Sequence, residues 1–354
     1  MKGSPILAMV WGIALVLGAL AQSSQPPAKR WTQPQTPWGD PDLEGIWTGT
    51  EMIGIPVERP TTFGDRSVLN EQELAGREAR RKSEQQFDTA EVESAITRCD
   101  PNRGGLGNTP ETCSNGVSIG PPLYWQDRGK PTKQASLVVD PPDGRIPRLT
   151  AEAQKRSGER AAERRSHGPA DSWRDRSLWE RCITRGAIGL VPTGYNNGNQ
   201  ILQTPGYVAL RIEMIHETRL IPLDGRPHLA PPVRAYVGDS RGHWEGHTLV
   251  VETTNFTGQT TINNTPVSDA LRLTERFTRV GADTVNYEVT VDDPKTWTRP
   301  WKMAFPLKRE AGYQIYEYAC HEANYFMYDA LSGARAQEKA AQAVPGADVG
   351  AFRH

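Results

Sequence analysis

An excess of charge of either sign is missing from this chain: 41 Lys and Arg face 42 Asp and Glu across 354 residues. A balance this close to zero leaves no electrostatic footprint for nucleic acid or for an anionic membrane surface, so neither is expected as a partner. Long apolar runs are absent after residue 21, which removes any further membrane span from the reading. The chain also lacks a phosphate-cradling glycine loop and a His-Glu-x-x-His pair. Nucleotide-binding and zinc-protease chemistry thereby lose their usual signatures. Cysteine is scarce too, at four residues.

The one apolar run stands at the start. Lys2 gives a short positive region, residues 6–21 are almost wholly apolar, and Ala19-Leu20-Ala21 has the small-x-small form of a signal-peptidase site. Residues 1–21 are therefore expected to be a cleaved signal peptide, being short for a membrane span and without a cysteine at the cut to accept lipid. The product is then periplasmic or secreted, with no stable membrane insertion. Thiols oxidise in such a compartment, so the cysteines are expected as disulfides. Cys99 and Cys113 share one Gly, Pro and Asn-rich loop, while Cys182 and Cys320 flank the strand-rich region, which favours pairing within each couple; two other connectivities stay open. A metal site is the rival, since His321 follows Cys320, but adjacent strand residues point to opposite faces and would not chelate one ion. No metal and no cofactor is expected.

About 330 residues remain after the signal peptide, within reach of one all-β domain carrying insertions. Residues 22–41, rich in Gln and Pro, read as an extended lead-in. Residues 42–331 read as the domain, with helical and loop insertions at about 50–133 and 141–182. Within these, residues 70–97 read as helix capped by Asn70, and residues 150–182 as helix capped by Thr150 with breaks near Gly158 and at His167-Gly168. Residues 332–354 read as a C-terminal helix and tail.

Period-2 patterns mark strands at 134–139, 200–204, 207–214, 219–223, 234–237, 247–256, 271–280, 284–292, 302–307 and 314–320. Short turn signals at Asp224-Gly225, Glu245-Gly246 and Gly281-Ala282-Asp283 argue for antiparallel meander connections. The fold class expected is all-β with helical insertions, a single antiparallel β-barrel rather than a sandwich, because long polar side chains on inward rows need an interior with room.

Two such rows carry the interest. One runs Val208, Leu210, Ile212, Met214, His216, and the other Leu271, Leu273, Glu275, Phe277. Strand residues two apart share a face, so His216 and Glu275 are expected to point inward. Glu252 ends the run Leu249-Val250-Val251, apolar on both faces, and is a third inward candidate. His216 or His321 as base, with Glu275 or Glu252 as acid, would make an acid/base pair if desolvation shifts them toward neutral pKa. The structural alternative pairs either glutamate with Arg211, Arg219 or Arg276. Glu213, Arg219, Asn255, Tyr318 and Asn324 are the expected ligand contacts, and the 10 Trp serve either an aromatic wall or cross-strand packing.

Gly45-Ile46-Trp47, at the head of the first strand, resembles the Gly-x-Trp opening of lipocalins and other calycins, where the Trp packs across the closed end of the barrel. The runs Gly238-Asp239-Ser240-Arg241-Gly242-His243-Trp244-Glu245-Gly246-His247-Thr248-Leu249-Val250-Val251-Glu252-Thr253-Thr254-Asn255-Phe256 and Asp293-Pro294-Lys295-Thr296-Trp297-Thr298-Arg299-Pro300-Trp301 resemble a large family of exported, β-rich proteins of soil and aquatic bacteria. His247 departs from that family's usual Asp and reads as a turn residue. The resemblance implies export and a β-rich fold, and no reaction. Two functions follow: a secreted container for a small, partly apolar organic molecule, or a cofactor-free isomerase, lyase or hydrolase acting on such a molecule.

Overall fold

The computed structural model of the protein describes residues 31–88, 127, 129–168, 170–322 and 324–343, and the compact unit begins at Gln33. The expected signal peptide, the first part of the lead-in, Cys99, Cys113 and the tail from 344 lie outside the described residues. In chain order the elements are β1 (Gly45–Thr48), α1 (Glu71–Asp88), β2 (Val138–Asp140), α2 (Ala151–Ser166), β3 (Gly198–Thr204), β4 (Tyr207–Ile212), β5 (Thr218–Pro222), β6 (Asp239–Glu245), β7 (Thr248–Thr254), β8 (Thr261–Ile262), β9 (Thr265–Pro266), β10 (Arg272–Gly281), β11 (Thr284–Asp292), β12 (Trp301–Lys308) and α3 (Phe326–Ala343). No helix among the described residues is long and apolar enough to cross a membrane.

The helices start where their caps direct. Asn70 Oδ1 accepts from Glu73 N at 2.9 Å while Glu73 Oε2 accepts from Asn70 N at 2.8 Å, a reciprocal box that opens α1. Thr150 Oγ1 accepts from Ala153 N at 3.1 Å and opens α2. Gly158 does not break α2, which runs on to Ser166, because one glycine costs a helix only about 1 kcal/mol.

Ten strands form one antiparallel sheet in the order β5-β4-β3-β1-β12-β11-β10-β7-β6, with β2 also pairing β12. Alternation builds its inner face: Leu273, Glu275, Phe277 and Arg279 of β10 are buried, as are Val285, Tyr287, Val289 and Val291 of β11 and Trp301, Met303, Phe305 and Leu307 of β12. The sheet is curled. Arg219 of β5 donates from Nη1 to Glu275 Oε2 at 2.5 Å and from Nη2 to Glu275 Oε1 at 2.9 Å, although six strand steps separate β5 from β10 in the hydrogen-bonded order. Gly242 of β6 lies against β5, where an added Cβ would come within 2.8 Å of Ile221 Cγ2 and 2.7 Å of Leu223 Cδ2. No ladder joins β5 to β6, so the two edges abut without closing the sheet by hydrogen bonds, and the expected closed barrel is met only as a curled antiparallel sheet.

Several expected strands moved. Residues 314–320 form no strand, and 234–237 keep only an isolated bridge from Ala235 to Phe256. Conversely β6, polar apart from Gly242 and Trp244, and the small hairpin β8–β9, turned by Asn263 and Asn264 at φ 46 and 62, had no apolar alternation to announce them. His247 sits in the turn between β6 and β7, as its sequence context implied.

The two long motifs act as scaffolding. Asp293, 2% exposed, accepts from Ser268 N at 2.7 Å, Ser268 Oγ at 2.6 Å and Thr296 Oγ1 at 2.7 Å, pinning the turn that leads into β12. Trp297 and Trp301 then meet edge to face at 5.4 Å. Trp47 is fully buried between two guanidinium groups, Arg309 at 4.7 Å and Arg279 at 5.3 Å from its ring centre, while Gly45, at φ 136, lets Arg309 approach.

Cys182 and Cys320 stand at disulfide distance, Cα to Cα 5.8 Å, across a sequence separation of 138. Closing a loop of that length constrains the unfolded chain by about 4–5 kcal/mol in the chain-entropy model. Urea unfolding of the oxidised protein and of a Cys182→Ser, Cys320→Ser form should differ by about that amount, and non-reducing peptide mapping that found both thiols free would contradict the bridge.

Glu275 is 1% exposed and Arg219 7%, so removing one partner strands the other charge. Glu275→Ala should cost about 3–5 kcal/mol in urea unfolding. The combined change Arg219→Met, Glu275→Leu, Tyr287→Phe should recover most of it. A single-mutant loss below about 1 kcal/mol would contradict an unrelieved buried charge.

Candidate functional site

The expected inward acid/base pair is not assembled. β4 ends at Ile212, and Ile215 and His216 then adopt left-handed backbone, φ 59 and 45, in a single 3-10 turn. The turn shifts the alternation by one residue, so Glu217 joins Arg219 and Ile221 on the inner face while His216 is exposed. Glu252 is corrected as well. Its register partners are Arg241 and Thr274, so it shares the outer row of β7 with Val250, whereas Val251 and Glu275 form the inward pair. Glu275 does point inward, yet both its oxygens are occupied, Oε1 accepting from Tyr287 OH at 2.8 Å as well as from Arg219. Burial and the Glu275 carboxylate push the Tyr287 hydroxyl well above its ordinary range. For Arg219, burial works against the charge, but Glu275 more than offsets it and holds the guanidinium above its ordinary value. This trio is structural.

The remaining expected contacts scatter. Glu213 is 2% exposed and holds the segment after β12, accepting from Tyr313 OH at 2.6 Å and Tyr316 N at 3.3 Å. Asn255 donates to Leu229 O at 2.9 Å, and Asn324 to Cys320 O at 3.0 Å, so both tie loops together. His216 and His321 do meet at the surface, ring centres 6.4 Å apart, beside the Cys182 to Cys320 link. Neither glutamate shares that location. Among the described residues no group of three or more His, Cys, Asp and Glu is placed to hold a metal ion.

A cavity of about 250 Å³ opens instead between residues 185–193, the β8–β9 hairpin and the inner face of β12. Gly186, at φ 127, brings the first wall against the second: Ala187 N donates to Thr261 O at 3.2 Å, and a Cβ on Gly186 would stand 2.7 Å from that oxygen. Val57, Ile188, Val191, Ile262 and Met303 give an apolar floor, and Arg185, Thr193 and Asn263 supply the polar atoms. A second hollow of about 370 Å³, by Pro294, Trp297 and Arg299, is lined mostly by exposed turn residues.

No family model matches the chain, and neither a curated protein nor a solved structure is similar to it. The site is therefore read from its own chemistry.

Arg185 is half-buried, and burial lowers its affinity for its proton. Its Nη1 donates to Thr193 Oγ1 at 2.9 Å, and its guanidinium lies 5.7 Å from the Trp179 ring centre. Thr193 is itself held, its hydroxyl donating to Tyr195 O at 3.0 Å and its backbone N–H to Asn197 Oδ1 at 2.7 Å. Burial and the neighbouring Tyr318 push the Tyr195 hydroxyl to about 12. Tyr318, alone among the expected contacts, thus stands beside the Arg185 cluster. Glu217 lies behind Gly189, whose Cβ position is 3.4 Å from its Oε1. Burial raises the Glu217 carboxyl, although Thr184 Oγ1, donating to it at 2.6 Å, and Arg219 oppose the rise. Arg185, Thr193, Glu217 and Asn263 had no signal in the sequence beyond the Asn-Asn turn that flags a short hairpin.

Because the folded carboxyl of Glu217 is raised, the folded chain binds more protons than the unfolded one above the ordinary carboxylate range. Its contribution to stability is full below that range and is lost as pH rises through the folded value. Glu217→Gln should flatten this decline when unfolding free energy is measured across about pH 4 to 8. Parallel profiles for the two proteins would show that Glu217 titrates normally.

Proposed function

We propose that this chain is an exported container for a small, partly apolar organic molecule, held in the cavity between Arg185 and Met303. The observation that carries this is the lining itself, an apolar floor with a few converging polar groups, which is the usual composition of a ligand site. At about 250 Å³ it falls just below the common range of about 300–1,000 Å³ and suits a compact ligand. A calycin-like barrel is the architecture we favour for the container, supported by the curl of the sheet, the abutment at Gly242 and the buried Trp47 near the chain's start. Export is supported by the Cys182 to Cys320 link and by the resemblance to exported bacterial proteins. Cofactor-free catalysis finds less support, since Glu275 is committed to Arg219 and Glu252 faces outward.

Small molecules that co-purify with the protein from native extract can be read by mass spectrometry, with Val191→Trp as the control that fills the cavity. The expected result is one compound class enriched on the wild type and depleted on the variant, both having the same far-UV spectrum. Equal profiles would remove the cavity as the binding site.

A further inference from the structure

The cation in the cavity has no ion-pair partner among the described residues. Among the described residues Arg185 makes a single side-chain hydrogen bond, to the neutral Thr193 hydroxyl, and no carboxylate forms an ion pair with it. Arg219 is matched by Glu275 and Arg279 by Asp42 at 3.3 Å, and the buried Arg59, which has no carboxylate partner among the described residues, reaches the Pro142 carbonyl at 2.6 Å and is not part of the cavity lining. Glu217 is the acid whose charge acts on Arg185, but it lies behind Gly189, accepts from Thr184 Oγ1 at 2.6 Å, feels the charge of Arg219 as well, and is disfavoured as an anion by its own burial. A guanidinium partly withdrawn from water is stabilised by an anion or strong acceptors, and it presents five N–H donors, of which Thr193 uses one. The rest of the lining offers hydroxyl and amide groups but no second cation, and its floor is Ile188, Val191, Ile262 and Met303.

We propose that the cavity selects small organic carboxylates, with Arg185 gripping the carboxylate by its unused N–H groups and the apolar floor taking the hydrocarbon body. This rests on the container function proposed above and names its ligand class. A planar carboxylate matches the guanidinium fork, and a charge-assisted pair formed out of water is about twice as strong as a neutral one. A single cation with an apolar floor fits a monoanion with a hydrocarbon part better than a fully hydrated dianion such as phosphate. Thr193, fixed by Tyr195 O and Asn197, orients the guanidinium plane and is a positioning residue.

The test compares isosteric pairs on the full secreted protein by ligand-observed NMR and calorimetry: benzoate against benzyl alcohol, hexanoate against hexanol, and inorganic phosphate alone. Carboxylates should bind at least tenfold tighter than the matching alcohols, phosphate should neither bind comparably nor displace them, and Val191→Trp should abolish binding of both series. Arg185→Gln should erase the preference while leaving weak binding of the alcohols. Thr193→Val should reduce the preference several-fold with unchanged thermal unfolding, and because the wild-type comparison stands alone, a poorly folding Arg185 variant does not rescue the idea. Alcohols that bind as tightly as carboxylates would overturn the carboxylate assignment and leave the container intact. Phosphate binding as tightly as benzoate would overturn it in favour of a general oxyanion site. Failure of both organic series to bind at millimolar concentration would overturn the assignment together with the container function.

Discussion

The bidentate contact between Arg219 and Glu275 is the constraint on which the rest of the inner face depends. It joins two strands that are remote in the ladder order, so it can exist only if the sheet curls until β5 faces β10 across the interior. Apolar packing alone would favour many degrees of curl at similar cost, since dispersion contacts are non-directional. Two parallel N–H to carboxylate bonds, with Tyr287 OH completing the carboxylate, admit essentially one geometry. Gly242 is a consequence of that geometry, being the residue at which β6 has room to lie against Ile221 and Leu223.

Most of the sheet was legible because its signal is local. β10, β11 and β12 alternate without interruption over eight to ten residues, and their ends in the sequence pattern agree with the structure to within a residue or so. The outer strand β6 escaped because a strand with Ser240 and Gly242 inward has too little apolar contrast to stand out. The segment 314–320 alternated convincingly but runs along the surface as an irregular strap, held by Glu213 through Tyr313 and Tyr316 rather than by a ladder.

The candidate site was less legible, for a different reason. Parity along a strand is reliable only until the backbone leaves the extended region, and here two consecutive left-handed residues, one of them the β-branched Ile215, reset it. A single reset exchanged His216 for Glu217 at the inner face. Nothing in a one-dimensional pattern announces such a turn, because Ile has no preference for it and local strain of about 1–3 kcal/mol is sustained by surrounding packing, here Met214 and Ile215 both 2% exposed. The cavity was hidden for a related reason, since its walls come from an irregular loop, a two-residue-stranded hairpin and one strand face, segments whose proximity is a property of the tertiary fold.

Charges on the inner side alternate in sign along one connected series: Arg185 at the cavity, Glu217 behind Gly189, Arg219, then Glu275 with Tyr287. The inner end of this series is closed, because Glu275 and Arg219 satisfy one another. The outer end is not, because Glu217 is divided between Thr184 and two arginines and is itself raised by burial. A negative group arriving next to Arg185 would meet the one cation of this series that makes no ion pair, and its effect would fall off with distance into the fold. An interior built this way leaves one cation, Arg185, lining the cavity, while Arg219 and Glu275 are committed to one another. In the proposed container, polar groups deep in the fold would serve shape and the outermost one recognition, so the inward glutamate that stood out in the sequence would not be the residue a ligand meets.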